Sequence, residues 1–107
     1  MDEYFVVYVT CESRAEAGKI AEGVVRQHLA ACASMVPLVQ SFYWWEGKLE
    51  ISEEAMLIIK TKASALEALK DEVKKLHSYK VPEVIAIPIK GGNKDYLDWL
   101  DREVHTP

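Results

Sequence analysis

The stretch from Ser41 to Thr61, SFYWWEGKLEISEEAMLIIKT, decides the fold because it has the pattern of a long antiparallel hairpin. An aromatic run ends at Trp44 and Trp45, and Glu46-Gly47-Lys48 has the composition of a tight turn before a second apolar run. The arm before the turn, Ser34–Trp45, would extend roughly 40 Å at ~3.3 Å per residue. A compact chain of this length is roughly 34 Å across. We therefore expect either a bulge that bends the hairpin or a tip that reaches beyond its own core.

The segments outside the hairpin complete an alternating pattern of strands and helices. Before the hairpin, apolar spacing and end signals predict a strand at Tyr4–Thr10 and a helix opened by a capping box of Ser13 and Glu16. After the hairpin they predict a second helix opened by Ser64 and Glu67, a strand in PEVIAIPI, and a last helix capped by Asn93. This order predicts a single α+β domain over residues 1–107. Its fold is ferredoxin-like βαββαβ, with an antiparallel sheet in the order 4-1-3-2 and a C-terminal helix.

The prolines test that strand order independently. Proline cannot donate to a strand ladder, so it is confined to edge strands, strand starts and bulges. Pro37 falls in the second strand, and Pro82 and Pro88 flank the fourth. Those two strands are the edges of the predicted sheet, so the positions agree with the topology.

The first strand is apolar on both faces. One face carries Tyr4, Val6 and Tyr8, and the other carries Phe5, Val7 and Val9. A sheet with helices on one side should be polar on the other if that side meets water. We expect other copies of the chain to cover it, with interface candidates Tyr43, Trp44, Trp45, Leu49 and Ile51. The alternative is that the two tryptophans fold back over their own sheet.

Composition and charge exclude several classes of protein. The formal net charge is −4 and no basic block occurs, which argues against nucleic acids and anionic membranes as partners. The N-terminal segment lacks a positive region before its short apolar run, so we expect a cytoplasmic protein. In that reducing compartment Cys11 and Cys32 are expected to be free thiols.

Four segments carry a resemblance to a known family: LAACASMVPLVQSFYWWEGKLE, EEAMLIIKT, VPEVIAIPI and GNKDYLDWL. They resemble the CutA family, named for divalent-cation tolerance. The resemblance implies a ferredoxin-like subunit in a homotrimer, similar in architecture to the PII signalling proteins, and an association with copper and other divalent metals. The family's His-Pro-Tyr segment differs here, because Ser78 stands in place of its proline. Some members carry two adjacent histidines at that place, whereas Leu76 precedes His77 here.

Cys11 and His77 are the candidate metal ligands, because copper needs soft or imidazole donors. No local spacing supports a preformed site, so a surface histidine and an ordinary loop thiol form the alternative. Cys32 is interpreted as a small buried apolar residue, while His28 and His105 have no partners in the sequence and are expected to be solvated.

Lys60, Tyr79 and Glu83, together with Pro82, form a second group at predicted element ends. In a trimer with PII-like architecture these ends would line a cleft between subunits. Lysine and carboxylate there would bind a small anion, or pair with each other as an interface salt bridge.

Two functions follow as expectations. The first is a homotrimeric divalent-cation tolerance protein that binds divalent metal, copper first, without needing it to fold. The alternative is a PII-like signalling or scaffold trimer that binds a small ligand or partner protein at the cleft. An enzyme is not expected, because Cys11 and His77 lack a recognisable orienting residue and no phosphate-binding loop or carboxylate pair occurs.

Overall fold

The elements follow one another in the order βαββαβα in the computed structural model, which describes residues 3–107. Their bounds are β1 (Tyr4–Cys11), α1 (Arg14–Arg26), β2 (Cys32–Trp45), β3 (Lys48–Lys62), α2 (Ala63–Leu76), β4 (Val84–Pro88) and α3 (Lys94–Glu103). The first two residues of the predicted domain lie outside the described residues. Among the helices of residues 3–107, none has the length and apolarity that a membrane crossing needs.

The four strands form one antiparallel sheet in the order β2-β3-β1-β4. This is the predicted order 4-1-3-2 viewed from the opposite edge, so the α+β ferredoxin-like fold is confirmed. Pro37 and Pro88 lie in the two edge strands, β2 and β4. The two central strands, β3 and β1, contain no proline, so their backbone hydrogen bonds are not interrupted.

The β2–β3 hairpin has both features that its length suggested. A bulge between Val36 and Val39 shifts the register by one residue and contains Pro37. Beyond it the arm continues to a tip whose turn is only Glu46-Gly47, at φ of 50° and 81°, while Lys48 already pairs with Trp45. Two positive φ values are those of a type I′ turn. The described chain is 44 Å long and only 25 and 22 Å across.

The core lies between one face of the sheet and helices α1 and α2. Alternate strand residues and one stripe of each helix supply it, chiefly Val7, Val9, Leu57, Ile59, Ile20, Val24, Leu69 and Val73. These side chains are fully buried, so the helix-covered face is closed by the chain itself.

The opposite face is covered at one end by α3. Tyr4 and Lys62 contact Asp101 of α3, and Cys32 contacts Tyr96. The expectation that other copies of the chain cover that face is therefore wrong at this end, where the chain's own α3 covers it. Farther along the same face Ile85 and Ile87 of β4 stay half exposed.

Two of the three expected helix caps are present. Ser13 Oγ accepts the Glu16 N–H at 3.1 Å, and Asn93 Oδ1 accepts the Asp95 N–H at 3.0 Å. The cap expected at Ser64 is wrong, because α2 starts at Ala63 and its N-cap residue is Lys62, without a side-chain cap bond. β3 runs directly into that helix.

Candidate functional site

The structure brings Cys11 and His77 together and adds Glu16 to them. Cys11 ends β1, Glu16 lies in the first turn of α1, and His77 follows α2. The three ligand atoms (the Cys11 Sγ, a Glu16 carboxylate oxygen and a ring nitrogen of His77) all lie within 4.8 Å of one another. Both the Cys11 thiol and the His77 imidazole are buried. The alternative of a surface histidine and an ordinary loop thiol therefore does not describe them.

The His77 ring is held by backbone groups on both of its nitrogens. Nε2 lies 2.8 Å from the Thr10 carbonyl oxygen, and Nδ1 accepts the Tyr79 N–H at 3.0 Å. Because a carbonyl only accepts, Nε2 carries the proton and Nδ1 carries the lone pair. Nδ1 also lies 3.9 Å from a Glu16 carboxylate oxygen. Nδ1 thus lies beside the cluster, but its lone pair is used by the Tyr79 N–H.

Glu16 is held as a carboxylate. It accepts the Ser78 N–H at 2.7 Å and the Glu12 N–H at 3.4 Å. Burial raises the pKa of this carboxyl, but the hydrogen bonds from Ser78 and Glu12 outweigh burial and hold the pKa below its ordinary value. The sequence predicted only a capping role for Glu16. Its contact with Ser78 joins residues far apart in the chain, which a local pattern does not reveal.

The Cys11 thiol is protonated at neutral pH. Burial, followed by the negative charges of Glu16 and Glu54, raises its pKa to about 12. A metal ion binds a thiolate, so an ion that enters this cluster must displace the thiol proton.

The donor set fits a soft or borderline metal ion. It offers one sulfur, one imidazole nitrogen and one carboxylate oxygen, a combination suited to copper and zinc. The Thr10 carbonyl that fixes the Nε2 proton is the type of outer partner that metal-bound histidines use. An ion at Nδ1 would have to replace the Tyr79 N–H bond.

A cavity of about 670 Å³ lies beside this cluster and extends along the outer part of the hairpin arm, as far as Trp45. Its lining includes Tyr79 and Glu83 with Glu54, Tyr43 and Trp45. The Tyr79 hydroxyl donates to the buried Glu54 carboxylate at 2.7 Å, and burial and the Glu54 charge raise the pKa of the Glu83 carboxyl. The cavity is therefore aromatic and carries two carboxyl groups.

Lys60 is not part of this cavity. It pairs with Val6 and Cys32 in the sheet, and its Nζ lies 4.0 Å from the Cys32 Sγ. Cys32 itself is half-buried rather than a fully buried core residue, and its thiol lies 3.5 Å from the Tyr96 hydroxyl. The predicted grouping of Lys60 with Tyr79 and Glu83 does not form within one chain, because β3 carries Lys60 towards the end covered by α3.

The hairpin tryptophans lie on opposite faces of the arm, as strand alternation predicts. Trp44 pairs with Leu49 and is 74% exposed, whereas Trp45 pairs with Lys48, is 44% exposed and lines the cavity. The other interface candidates Tyr43, Leu49 and Ile51 are also exposed in the single chain. The tryptophans do not bury themselves against their own sheet.

Known proteins resemble this chain over nearly its whole length. The family model described as CutA1 divalent ion tolerance protein matches residues 5–103. The chain is 44% identical over 98 residues to the divalent-cation tolerance protein CutA of Archaeoglobus fulgidus, covering 92% of this chain and 95% of that protein. A crystal structure of CutA1 from Oryza sativa superimposes with a TM-score of 0.95 at 47% identity, covering 98% of this chain and 96% of that one.

A longer plant relative gives a similar result. The chain is 52% identical over 95 residues to the rice protein named "Protein CutA 1, chloroplastic", covering 89% of this chain and 54% of that protein. The chain thus spans about half the length of the plant relatives that it matches. The family match, the identities and the shared fold agree, and the chain belongs to the CutA1 divalent ion tolerance family.

Proposed function

We propose that the chain is a homotrimeric divalent-cation tolerance protein that binds copper, or another soft or borderline divalent ion, through Cys11, Glu16 and His77. The observation that carries the proposal is the convergence of three different metal-binding atoms within 4.8 Å. The family supplies the class of ligand, and the cluster supplies the donors.

The assembly is supported by the apolar surface of the hairpin. Large apolar side chains are exposed on both of its faces, among them Phe42 and Trp44 on one face and Trp45 on the other. Apolar surface concentrated in this way marks contact sites between proteins. We therefore expect another protein chain to cover this surface, and the resemblance to the CutA family implies that it is covered by two further copies of the same chain.

Binding rather than catalysis suits the chemistry of the cluster. Both ring nitrogens of His77 are engaged by backbone groups, and the Cys11 thiol is protonated. A nucleophilic cysteine needs a low pKa and a free base beside it. The proposal places the protein in the cytoplasm, where Cys11 and Cys32 would remain the free thiols that they are in the structure.

Calorimetric titration with copper and with zinc under reducing conditions tests the metal site. We expect one ion per chain to bind at this cluster in the wild type, and Cys11→Ser and His77→Ala should each lose that ion. Glu16→Gln should weaken the site without removing its two other donors. Cys32→Ser is the matched control, because it removes a thiol outside the cluster and should bind as the wild type does.

The outcome against the proposal is wild-type binding that is absent, or binding that both ligand substitutions leave unchanged. Circular dichroism of each variant checks that the fold is retained, since His77 is buried. Light scattering tests the assembly separately, and a stable monomer at micromolar concentration would contradict the trimer.

The cavity supports a second candidate function, a PII-like trimer that binds a small ligand. The supporting observation is the 670 Å³ space with Tyr79 and Glu83 in its lining. Because Lys60 lies elsewhere, carboxyl groups and aromatic rings would make the contacts, and Lys80 supplies a positive charge at the wall. Ligand-induced quenching of Trp45 that is lost in Glu83→Gln and retained in Cys11→Ser would favour this function over the first.

A further inference from the structure

His28 occupies a position where glycine is the usual residue. It follows the C-cap of α1 with φ of 57°, in the left-handed region. Its N–H donates to the Val25 carbonyl at 3.0 Å and the Leu29 N–H donates to the Val24 carbonyl at 3.0 Å, the bond pair of a Schellman motif. A residue with a Cβ is strained there, and strain of this kind points to a use for the side chain.

The His28 ring is oriented by a backbone carbonyl. Its Nδ1 lies 2.8 Å from the carbonyl oxygen of Glu103, the last residue of α3. Because the carbonyl can only accept, Nδ1 carries the proton, and Nε2 of the neutral ring keeps its lone pair. Metal-bound histidines are fixed in this way, with one ring nitrogen donating to a carbonyl and the other free for the ion.

A second imidazole lies against the first. The rings of His28 and His105 are stacked with centroids 3.9 Å apart and planes within 5° of parallel, and the His105 N–H donates to the His28 carbonyl at 2.8 Å. Both histidines are exposed, as expected from the sequence, but they contact each other in a way that the sequence does not show. Two imidazole rings thus lie together at one place on the surface.

We propose that His28 and His105 form a second metal site, a surface pair of imidazole ligands for Ni²⁺, Cu²⁺ or Zn²⁺. Imidazole nitrogen suits these ions, and the absence of sulfur from the pair disfavours Cu(I). Stacked parallel rings do not point their lone pairs at one ion, so binding by both requires the exposed His105 ring to turn about its side-chain bonds until its nitrogen and the His28 Nε2 face the same ion. Water completes the coordination at this exposed position.

The site does not depend on the cluster around Cys11. The histidine pair joins the end of α1 to the segment that follows α3. The cluster instead joins the end of β1, the start of α1 and the end of α2. The two sites also differ in donor chemistry, so selectivity for metals separates them. Ni²⁺ is the better probe for the histidine pair, because the buried thiol site favours softer ions.

The test is calorimetric titration of Ni²⁺ into Cys11→Ser protein, in which the first cluster has lost its sulfur. We expect one ion per chain. Loss of an outer partner of a metal ligand already costs roughly 10–100-fold in affinity, so removing either histidine should cost at least as much. His28→Gly and His105→Ala are the variants, and glycine at position 28 relieves the backbone strain and keeps the fold.

Imidazole signals in NMR spectra provide the second readout. The chain has three histidines, and His77 is buried with both ring nitrogens engaged, so it serves as the internal reference. Ni²⁺ should broaden the signals of His28 and His105 well before those of His77. Absence of Ni²⁺ binding, or binding that persists in both variants, would overturn the proposal. A fall in melting temperature without any change in Ni²⁺ binding would assign the pair a purely structural role instead.

Discussion

β3 passes through two different environments although its backbone pairing is continuous. From Ala55 to Thr61 every second side chain is buried under α1 and α2, whereas from Lys48 to Ile51 every side chain is exposed. Both halves are hydrogen-bonded to β2, so the ladder alone does not distinguish them. The difference lies in the second layer: α1 and α2 cover the half from Ala55 to Thr61, and no described element covers the half from Lys48 to Ile51.

Removing the tryptophans of the arm should have the largest effect. We expect one of Trp44→Ala and Trp45→Ala, the one at the subunit boundary, to cost ~3–5 kcal/mol of the stability of the assembly, as truncation of a core tryptophan does. The other should cost less, because the two side chains lie on opposite faces. Thermal unfolding with light scattering measures both. Two variants that keep the assembly and its melting temperature would show that the arm is not the interface.

A pair of leucines on β3 compares the two environments directly. Leu57→Ala, in the fully buried half, should lower the free energy of unfolding by ~2–5 kcal/mol. Leu49→Ala removes the same side chain from the exposed arm and should weaken only the assembly. Denaturant unfolding tests this when it is measured at protein concentrations above and below the one at which the assembly dissociates. If both variants lose the same free energy of unfolding in the dissociated chain, the two halves of β3 do not differ in how much they stabilise the single chain.

Metal affinity should depend on pH because of the buried thiol. With the Cys11 pKa raised to about 12, the thiol is protonated throughout the neutral range, and each bound ion releases its proton. Zinc affinity should therefore fall about tenfold for each pH unit of acidification between about pH 8 and about pH 7. Cys11→Ser should abolish that slope and Cys32→Ser should retain it. A wild-type affinity that is flat over this range would show that Cys11 is not a ligand.

The smallest effect concerns the turn at the tip of the arm. Gly47 has φ of 81° and nothing within 4 Å of where a Cβ would lie, so Gly47→Ala should cost ~1 kcal/mol through backbone strain alone. Gly91 is equally open but does not have a positive φ, and Gly91→Ala is the matched control. It should be neutral or slightly stabilising. Equal melting temperatures for the two variants would contradict the strained turn.

Sequence patterns predicted the elements and their order because these depend on local spacing. The caps at Ser13 and Asn93 were confirmed for the same reason, although the Glu16 carboxylate accepts the Glu12 N–H rather than the Ser13 N–H of a complete capping box. Ser64 has the same spacing to Glu67 as Ser13 has to Glu16, yet it does not cap a helix. β3 continues to Lys62 because that residue pairs with Tyr4 of β1, and a local pattern does not reveal this contact between distant segments.

The candidate site was predictable only in part. Cys11 and His77 were predicted from donor chemistry, whereas the place of Glu16 beside them depends on the packing of α1 against the end of α2. The separation of Lys60 from Glu83 follows from the register of β3 against β1 and β2. The contact of His28 with His105 needs the left-handed residue after α1 and the path of the chain after α3, neither of which has a signal in the sequence.

The bulge at Pro37 has a consequence for aggregation. β2 is an edge strand, and a long apolar edge with a regular row of free backbone groups is a template for open-ended stacking into fibres. The missing N–H of Pro37 and the shifted register after Val36 interrupt that row partway along the strand. At the opposite edge β4 is short and ends in Pro88. The chain can therefore expose a strongly apolar arm while its sheet resists growth by unlimited strand addition.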